Sequence, residues 1–170
     1  MKIRKAHSTD RTFIAEIYEK VAGKVAGITR RPDEITDTYI FSLLNQDEEE
    51  CVFLVVEDDE MNIIGFAHAN KSGLAAYDHI LSNFTIVVSP EIQGQGVGRG
   101  IYMGFLEYVF NERPDVARIE MEVQVDKERI ALFEATGFQT EAIIKGRVQG
   151  MDGQFYDQAL MAWTNPNFKA

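Results

Sequence analysis

Apolar residues recur along the chain with two different periods, and the places where one period gives way to the other define its elements. Met1 to Ala6 predicts a short strand. Ser8, Thr9 and Asp10 offer N-caps, and Phe13, Ile14, Ile17, Tyr18 and Val21 follow at helical spacing. Gly23 and Gly27 break that pattern. Pro32-Asp33-Glu34 opens a second helix with acidic residues in its first turn, and Tyr39, Ile40, Leu43 and Leu44 give it an apolar side. Cys51 to Glu57 and Ile63 to Asn70 are β-rich runs joined by the polar turn 58–62, so they predict a hairpin. After a loop at 71–79, Leu81 to Val88 predicts another strand, closed by Ser89-Pro90. A glycine-rich turn leads into a helix that runs to about Phe110. Arg118 to Val125 predicts a strand, and Lys127 to Thr136 a helix stopped by Gly137. Glu141 to Val148 and Phe155 to Trp163 form a last hairpin across Gly150 to Gly153. The order β-α-α-β-β-β-α-β-α-β-β describes an α/β (α+β) architecture, a mixed sheet with helices packed on it.

Composition narrows the class of protein. The chain has 170 residues, 45% hydrophobic and 26% charged, which suits one soluble globular domain spanning 1–170. No window approaches the ~20 apolar residues of a membrane span. The amino-terminal stretch Met1-Lys2-Ile3-Arg4-Lys5 has charge without an apolar run behind it, so the cytoplasm is expected. The single cysteine, Cys51, heads an apolar run and is expected to be a small buried thiol. No His or second Cys stands at metal-ligand spacing from it, so no metal is expected. Lys and Arg number 17 against 27 Asp and Glu, a net charge of −10 that opposes nucleic-acid binding. Such a surface favours cationic partners, although solubility alone accounts for it.

The stretch Ile86-Val87-Val88-Ser89-Pro90-Glu91-Ile92-Gln93-Gly94-Gln95-Gly96-Val97-Gly98-Arg99-Gly100 carries the chemistry. Alternate glycines let the backbone turn tightly and let an anion approach. The first N–H groups of the helix that follows have no partner within it and point outward, aided by the helix dipole. The segment therefore suits a pyrophosphate. A G-x-G-x-x-G dinucleotide turn does not fit, because its third glycine falls on Arg99 or Ile101. A P-loop does not fit either, because no Lys-Ser or Lys-Thr follows. The pattern (Arg/Gln)-x-x-Gly-x-(Gly/Ala), filled by Gln93, Gly96 and Gly98, resembles the acyl-CoA-binding motif of the GNAT superfamily of N-acetyltransferases.

A second stretch strengthens the resemblance. Val123-Gln124-Val125-Asp126-Lys127-Glu128-Arg129-Ile130-Ala131-Leu132-Phe133-Glu134-Ala135-Thr136-Gly137-Phe138 is similar to the family's fifth strand, Asn-headed helix and terminal Gly-Phe. The likeness covers nearly the whole chain. It implies the GNAT fold, a mixed sheet of about seven strands flanked by about four helices. It implies acetyl-CoA as cosubstrate, with Ile86, Val87 and Val88 offering backbone groups to its pantetheine arm and acetyl carbonyl. Gln93, Gly94, Gln95, Gly96, Val97, Gly98 and Arg99 would surround its phosphates, and Asp126 and Phe133 would lie along its arm. The implied strands four and five, 81–88 and 118–125, splay to admit it.

Three positions depart from the family pattern. Asp126 stands where the family carries Asn, Gln93 where it often carries Arg, and Phe133 where it often carries the Tyr assigned as general acid. Phe has no proton to give. The family's fourth-strand carboxylate falls on Asn83, which cannot act as a base; orienting the amine or a water and serving as a plain strand-end polar residue are equal readings of it. Tyr156 in the last hairpin is a candidate proton donor, with packing as the plainer reading. His68, His79 and Glu122 are further candidate bases, and Tyr102 is expected to pack. The implied activity is acetyl transfer from acetyl-CoA to the primary amine of a small molecule by direct attack on the thioester. A protein or peptide acceptor, and a non-catalytic acyl-CoA-binding module, are the alternatives. The resemblance also allows a homodimer formed through sheet or helix edges.

Overall fold

The computed structural model describes residues 1–22 and 28–169; the break expected at Gly23 and Gly27 lies outside them. The strands are β1 (Lys2–Lys5), β2 (Cys51–Glu57), β3 (Ile63–Asn70), β4 (Ile80–Val88), β5 (Arg118–Gln124), β6 (Gln139–Gln149) and β7 (Phe155–Thr164). The helices are α1 (Arg11–Val21), α2 (Asp37–Leu44), α3 (Val97–Glu112) and α4 (Lys127–Glu134). The seven strands follow the order β1-β2-β3-β4-β5-β7-β6 in a mixed sheet. The chain divides into two compact units, Met1–Ala69 with Thr85–Glu107, and Asn70–Phe84 with Tyr108–Ala170.

In the first unit, β1 pairs antiparallel with β2 from Lys2↔Glu57 to Lys5↔Leu54. Every residue of β2 is buried, as a run apolar on both faces requires. Ile14, Ile17, Tyr18 and Val21 of α1 and Ile40 and Leu43 of α2 pack with Phe53, Val55, Phe66 and Val87 in one core. Phe13 shares the helical spacing yet is 55% exposed, because the buried stripe of α1 passes beside it. Pro32–Glu34 forms a separate 3₁₀ turn rather than the start of α2. The helix begins at Asp37, where Thr36 Oγ1 accepts the Tyr39 backbone N–H at 3.1 Å. Asp10 does not cap α1 with its side chain; its carboxylate accepts from the Arg4 guanidinium at 2.7 and 3.0 Å.

In the second unit, β4 starts parallel to β5, paired at Ile80↔Arg118 and Leu81↔Ile119. β7 inserts between β5 and β6 and is antiparallel to both. The β6–β7 ladder shifts register between Thr140 and Ala142 and between Ile144 and Val148. The helix α4 ends at Glu134, two residues short of the expected Thr136, and Gly137 then takes φ 101. Gly137 N–H donates to the Glu134 carbonyl at 3.1 Å and Phe138 N–H to that of Phe133 at 3.2 Å.

Candidate functional site

In the first unit, the end of β4 passes through a 3₁₀ turn at Pro90–Ile92 into the glycine turn and then α3. Ser89 N–H donates to the Ile64 carbonyl of β3 at 2.9 Å, which anchors the strand end. Gln93 Nε2 donates to the Val88 carbonyl at 3.1 Å, so this side chain closes the turn. Gly94 and Gly96 take φ 84 and φ 79, left-handed values that L side chains rarely hold. A Cβ at either position would meet nothing within 4 Å, so the space beside the turn is open. The Gly96 carbonyl accepts the first helical bond, from Gly100 N–H at 3.1 Å. The N–H groups of Val97, Gly98 and Arg99 therefore head α3 without partners inside the helix. Gly100 does not take a left-handed φ; a Cβ there would stand 2.7 Å from Met1 Cε, the far end of a flexible side chain.

Val87 is buried, and Ile86 and Val88 are half-buried. Gln93, Gly94, Gln95, Gly96 and Arg99 are exposed, and Val97 and Gly98 half-buried. Glu91 sits before the turn with its carboxylate held low, at about 2, by the Ser89 hydroxyl first and also by Lys20, whose Nζ lies 3.0 Å away.

The same unit holds a polar cluster inside its core. The Tyr18 hydroxyl lies 2.9 Å from His68 Nε2 and 3.2 Å from the Tyr39 hydroxyl, and it also hydrogen-bonds Thr85. Arg30 lies over the Tyr39 ring, 3.9 Å from its centre. Burial first, and then Tyr39, pushes the Tyr18 phenol upward, so it stays protonated. Burial first, and then the charge of Arg30, lowers His68 to about 4, so its imidazole is neutral near pH 7. His68 Nδ1 is buried and has no hydrogen-bond partner among the described residues. Spacing alone marked Tyr18 and Tyr39 as core and left Arg30 unmarked; a phenol on a buried stripe, which needs a partner, was the available signal.

In the second unit, Asn83 is exposed and takes φ 57 within β4. Asn tolerates the left-handed region better than most residues, and one such residue interrupts a regular ladder. A backbone demand is thus one reason for Asn at position 83. Asp126 caps α4, accepting Arg129 N–H at 2.9 Å. Phe133 is half-buried, its ring 6.2 Å from that of Phe138. The Tyr156 hydroxyl donates to Asp152 Oδ2 at 2.5 Å, which raises the phenol and makes it a weaker acid. A Cβ on Gly150 would stand 2.6 Å from the Tyr156 ring, so that ring also packs the hairpin turn. Glu122 pairs with Arg147 at 3.2 Å. His79 is exposed, and its carbonyl accepts Ala117 N–H at 2.8 Å. Tyr102, only 2% exposed, packs as expected.

Among the described residues no group of three or more His, Cys, Asp or Glu could hold a metal ion. Among them, no helix is long and apolar enough to cross a membrane.

The sequence model of the Acetyltransferase (GNAT) family matches residues 12–138. The spermidine N(1)-acetyltransferase of Vibrio cholerae serotype O1 is 28% identical over 134 residues, 75% of this chain and 73% of that protein. The fold is similar to that of the ribosomal-protein-alanine N-acetyltransferase from Brucella melitensis, with a TM-score of 0.84 at 19% identity, over 96% of this chain and 99% of that one. It is similar too to a GNAT superfamily phosphinothricin acetyltransferase (Pat) from Sinorhizobium meliloti in complex with AcCoA. There the TM-score is 0.83 at 22% identity, over 99% of this chain and 90% of that one. At these identities the structures speak for the fold.

Proposed function

The chain belongs to the acetyltransferase (GNAT) family, and on that footing we propose that it is a cytoplasmic enzyme transferring an acetyl group from acetyl-CoA to the primary amine of a small molecule. The observation that carries this reading is the glycine turn: two left-handed glycines, open space beside them, and helix N–H groups free of helical partners. These groups suit a pyrophosphate without any cationic side chain, which accommodates Gln93 where the family often has Arg. Acetyl-CoA supplies an activated acyl carbonyl. Ile86 to Val88 offer backbone groups to its arm, and the Val88 N–H is the proposed donor to the carbonyl oxygen. Gln93 holds that strand end in place through the Val88 carbonyl.

The family match runs through both units, which supports a single acetyltransferase domain. Asp126 is proposed to act by heading α4, and Phe133 by packing. Asn83 and Tyr156 are the proposed amine-side groups, and both have structural duties that explain them equally well. The proposal therefore rests on positioning of the reactants more than on a dedicated acid or base.

Release of CoA thiol from acetyl-CoA, measured across amino acids, polyamines, aminoglycosides and short peptides, tests the reading. Release with a small amine supports it. Release with peptides alone moves the acceptor to a protein. Silence across the panel, with acetyl-CoA bound by calorimetry, sinks the catalytic reading and leaves an acyl-CoA-binding module.

A further inference from the structure

Arg30 stands out in a chain where 27 acidic residues face 17 Lys and Arg. It is half-buried, its guanidinium carbon 3.9 Å from the centre of the Tyr39 ring, yet among the described residues it pairs with no carboxylate. In so acidic a protein an arginine set on an aromatic face and paired with no carboxylate among the described residues has a receptor's geometry. Hydroxyl donors stand beside it: Tyr39 and, 3.2 Å further, Tyr18. The buried His68, bonded to Tyr18, has one ring nitrogen with no partner among the described residues, so the cluster has hydrogen-bonding capacity left over. A buried polar group without a partner is costly unless something fills the place.

The location of the cluster says which molecule fills it. Tyr18 hydrogen-bonds Thr85, and Thr85 directly precedes Ile86 to Val88, the stretch assigned above to the acyl arm. The glycine turn lies beyond the far end of that strand. An anion at Arg30 therefore belongs to the acceptor rather than to the phosphates of acetyl-CoA.

We propose that Arg30, held on the Tyr39 ring with the Tyr39 and Tyr18 hydroxyls beside it, receives the carboxylate of the acceptor, which makes that acceptor an amino acid rather than a polyamine. This rests on the acetyltransferase reading and names the substrate class of that same site. The division of labour is electrostatic. The acidic surface concentrates amines of every kind, and one local cation selects those that carry an anion as well.

The test compares each of a set of amino acids with its own amide, and both with spermidine, by CoA thiol release. Loss of a hydrogen-bonded charge partner corresponds to about ten- to hundredfold in binding, so amides and spermidine are expected to be poorer by that factor. Arg30→Gln raises KM for amino acids by the same about ten- to hundredfold, and leaves KM for acetyl-CoA unchanged. Arg30→Lys keeps the charge but loses the planar fork, and recovers part of the effect. Tyr39→Phe keeps the ring under Arg30, removes one donor, and has a smaller effect in the same direction. Each variant's melting temperature is measured alongside, so that misfolding is recognised. Amides or spermidine used as well as amino acids, or amino-acid kinetics indifferent to Arg30→Gln, overturn the inference and leave the acetyltransferase standing. A rise in KM for acetyl-CoA instead overturns it by assigning the anion to the cosubstrate's phosphates. No release with any amine overturns both readings together.

Discussion

The glycine turn and the Tyr18–His68–Tyr39 cluster belong to the same compact unit and are built in opposite ways. The turn consists of contiguous residues whose backbone does the work: Gly94 and Gly96 supply the left-handed conformation, and the head of α3 supplies donors. Its side chains are mostly exposed. The cluster gathers residues from α1, α2, β3 and β4 around one buried hydroxyl, and nothing in it depends on special backbone. A site made of backbone tolerates side-chain change and fails when a Cβ is added. A site made of buried side chains fails when a single polar atom is removed, because its partners cannot turn to water.

The sharpest way to break the comparison is Gly96→Trp. Left-handed backbone costs an ordinary residue about 1–2 kcal/mol of stability, and the indole over the cradle is expected to abolish acetyl-CoA binding altogether. Calorimetry checks this, with circular dichroism showing that the variant folds. Undiminished binding would remove the turn as the cosubstrate site.

Next in size is the pH dependence that His68 imparts. Its folded value of about 4 lies below the ordinary 6.5, so the unfolded chain takes up a proton that the folded protein refuses. Its contribution to stability is full above pH 6.5 and is lost as pH falls from 6.5 towards 4. The slope approaches about 1.4 kcal/mol per pH unit at its steepest, and it is absent from the stability curve of His68→Gln. Urea unfolding across that range measures it; identical slopes in both proteins would place the imidazole in contact with water.

Tyr18→Phe removes the hydroxyl on which His68 and Tyr39 converge, and is expected to cost about 1–3 kcal/mol of stability while leaving acetyl-CoA affinity unchanged. A neutral result in urea would mean that water replaces the phenol. The smallest effect belongs to Gln93→Ala. If backbone carries the cradle, losing the exposed bond to Val88 lowers acetyl-CoA affinity by no more than about tenfold, the scale of one ordinary hydrogen bond. A larger loss, read by the same calorimetry, would give the side chain a direct part in binding.

Legibility in the sequence followed the same divide. The motif from Gln93 to Gly98 was readable because a tight turn into a helix restricts which residues can stand there, and that restriction is local. Asp126 was readable as a cap for the same reason, and the structure has it accepting Arg129 N–H. At Asn83 the sequence offered an amine-orienting amide or a strand-end polar residue, and only the folded backbone adds φ 57 as a further reason for Asn at that point. The four glycines of the turn looked alike in sequence but differ in backbone, since Gly94 and Gly96 take left-handed φ and Gly98 and Gly100 do not. Pro32–Glu34 carried sound helix-opening signals and formed only a 3₁₀ turn, because α2 takes its cap from Thr36 further on.

By itself the sequence determined the order of elements, the glycine turn and the family, all of which depend on residues near one another in the chain. Only the tertiary structure decided that Arg30 would lie on Tyr39 and that Tyr18 would join His68 to Thr85. The Tyr18 contacts join positions far apart in sequence, the Arg30 contact bridges a loop into a helix, and no local period encodes which polar atoms meet once the core has closed around them.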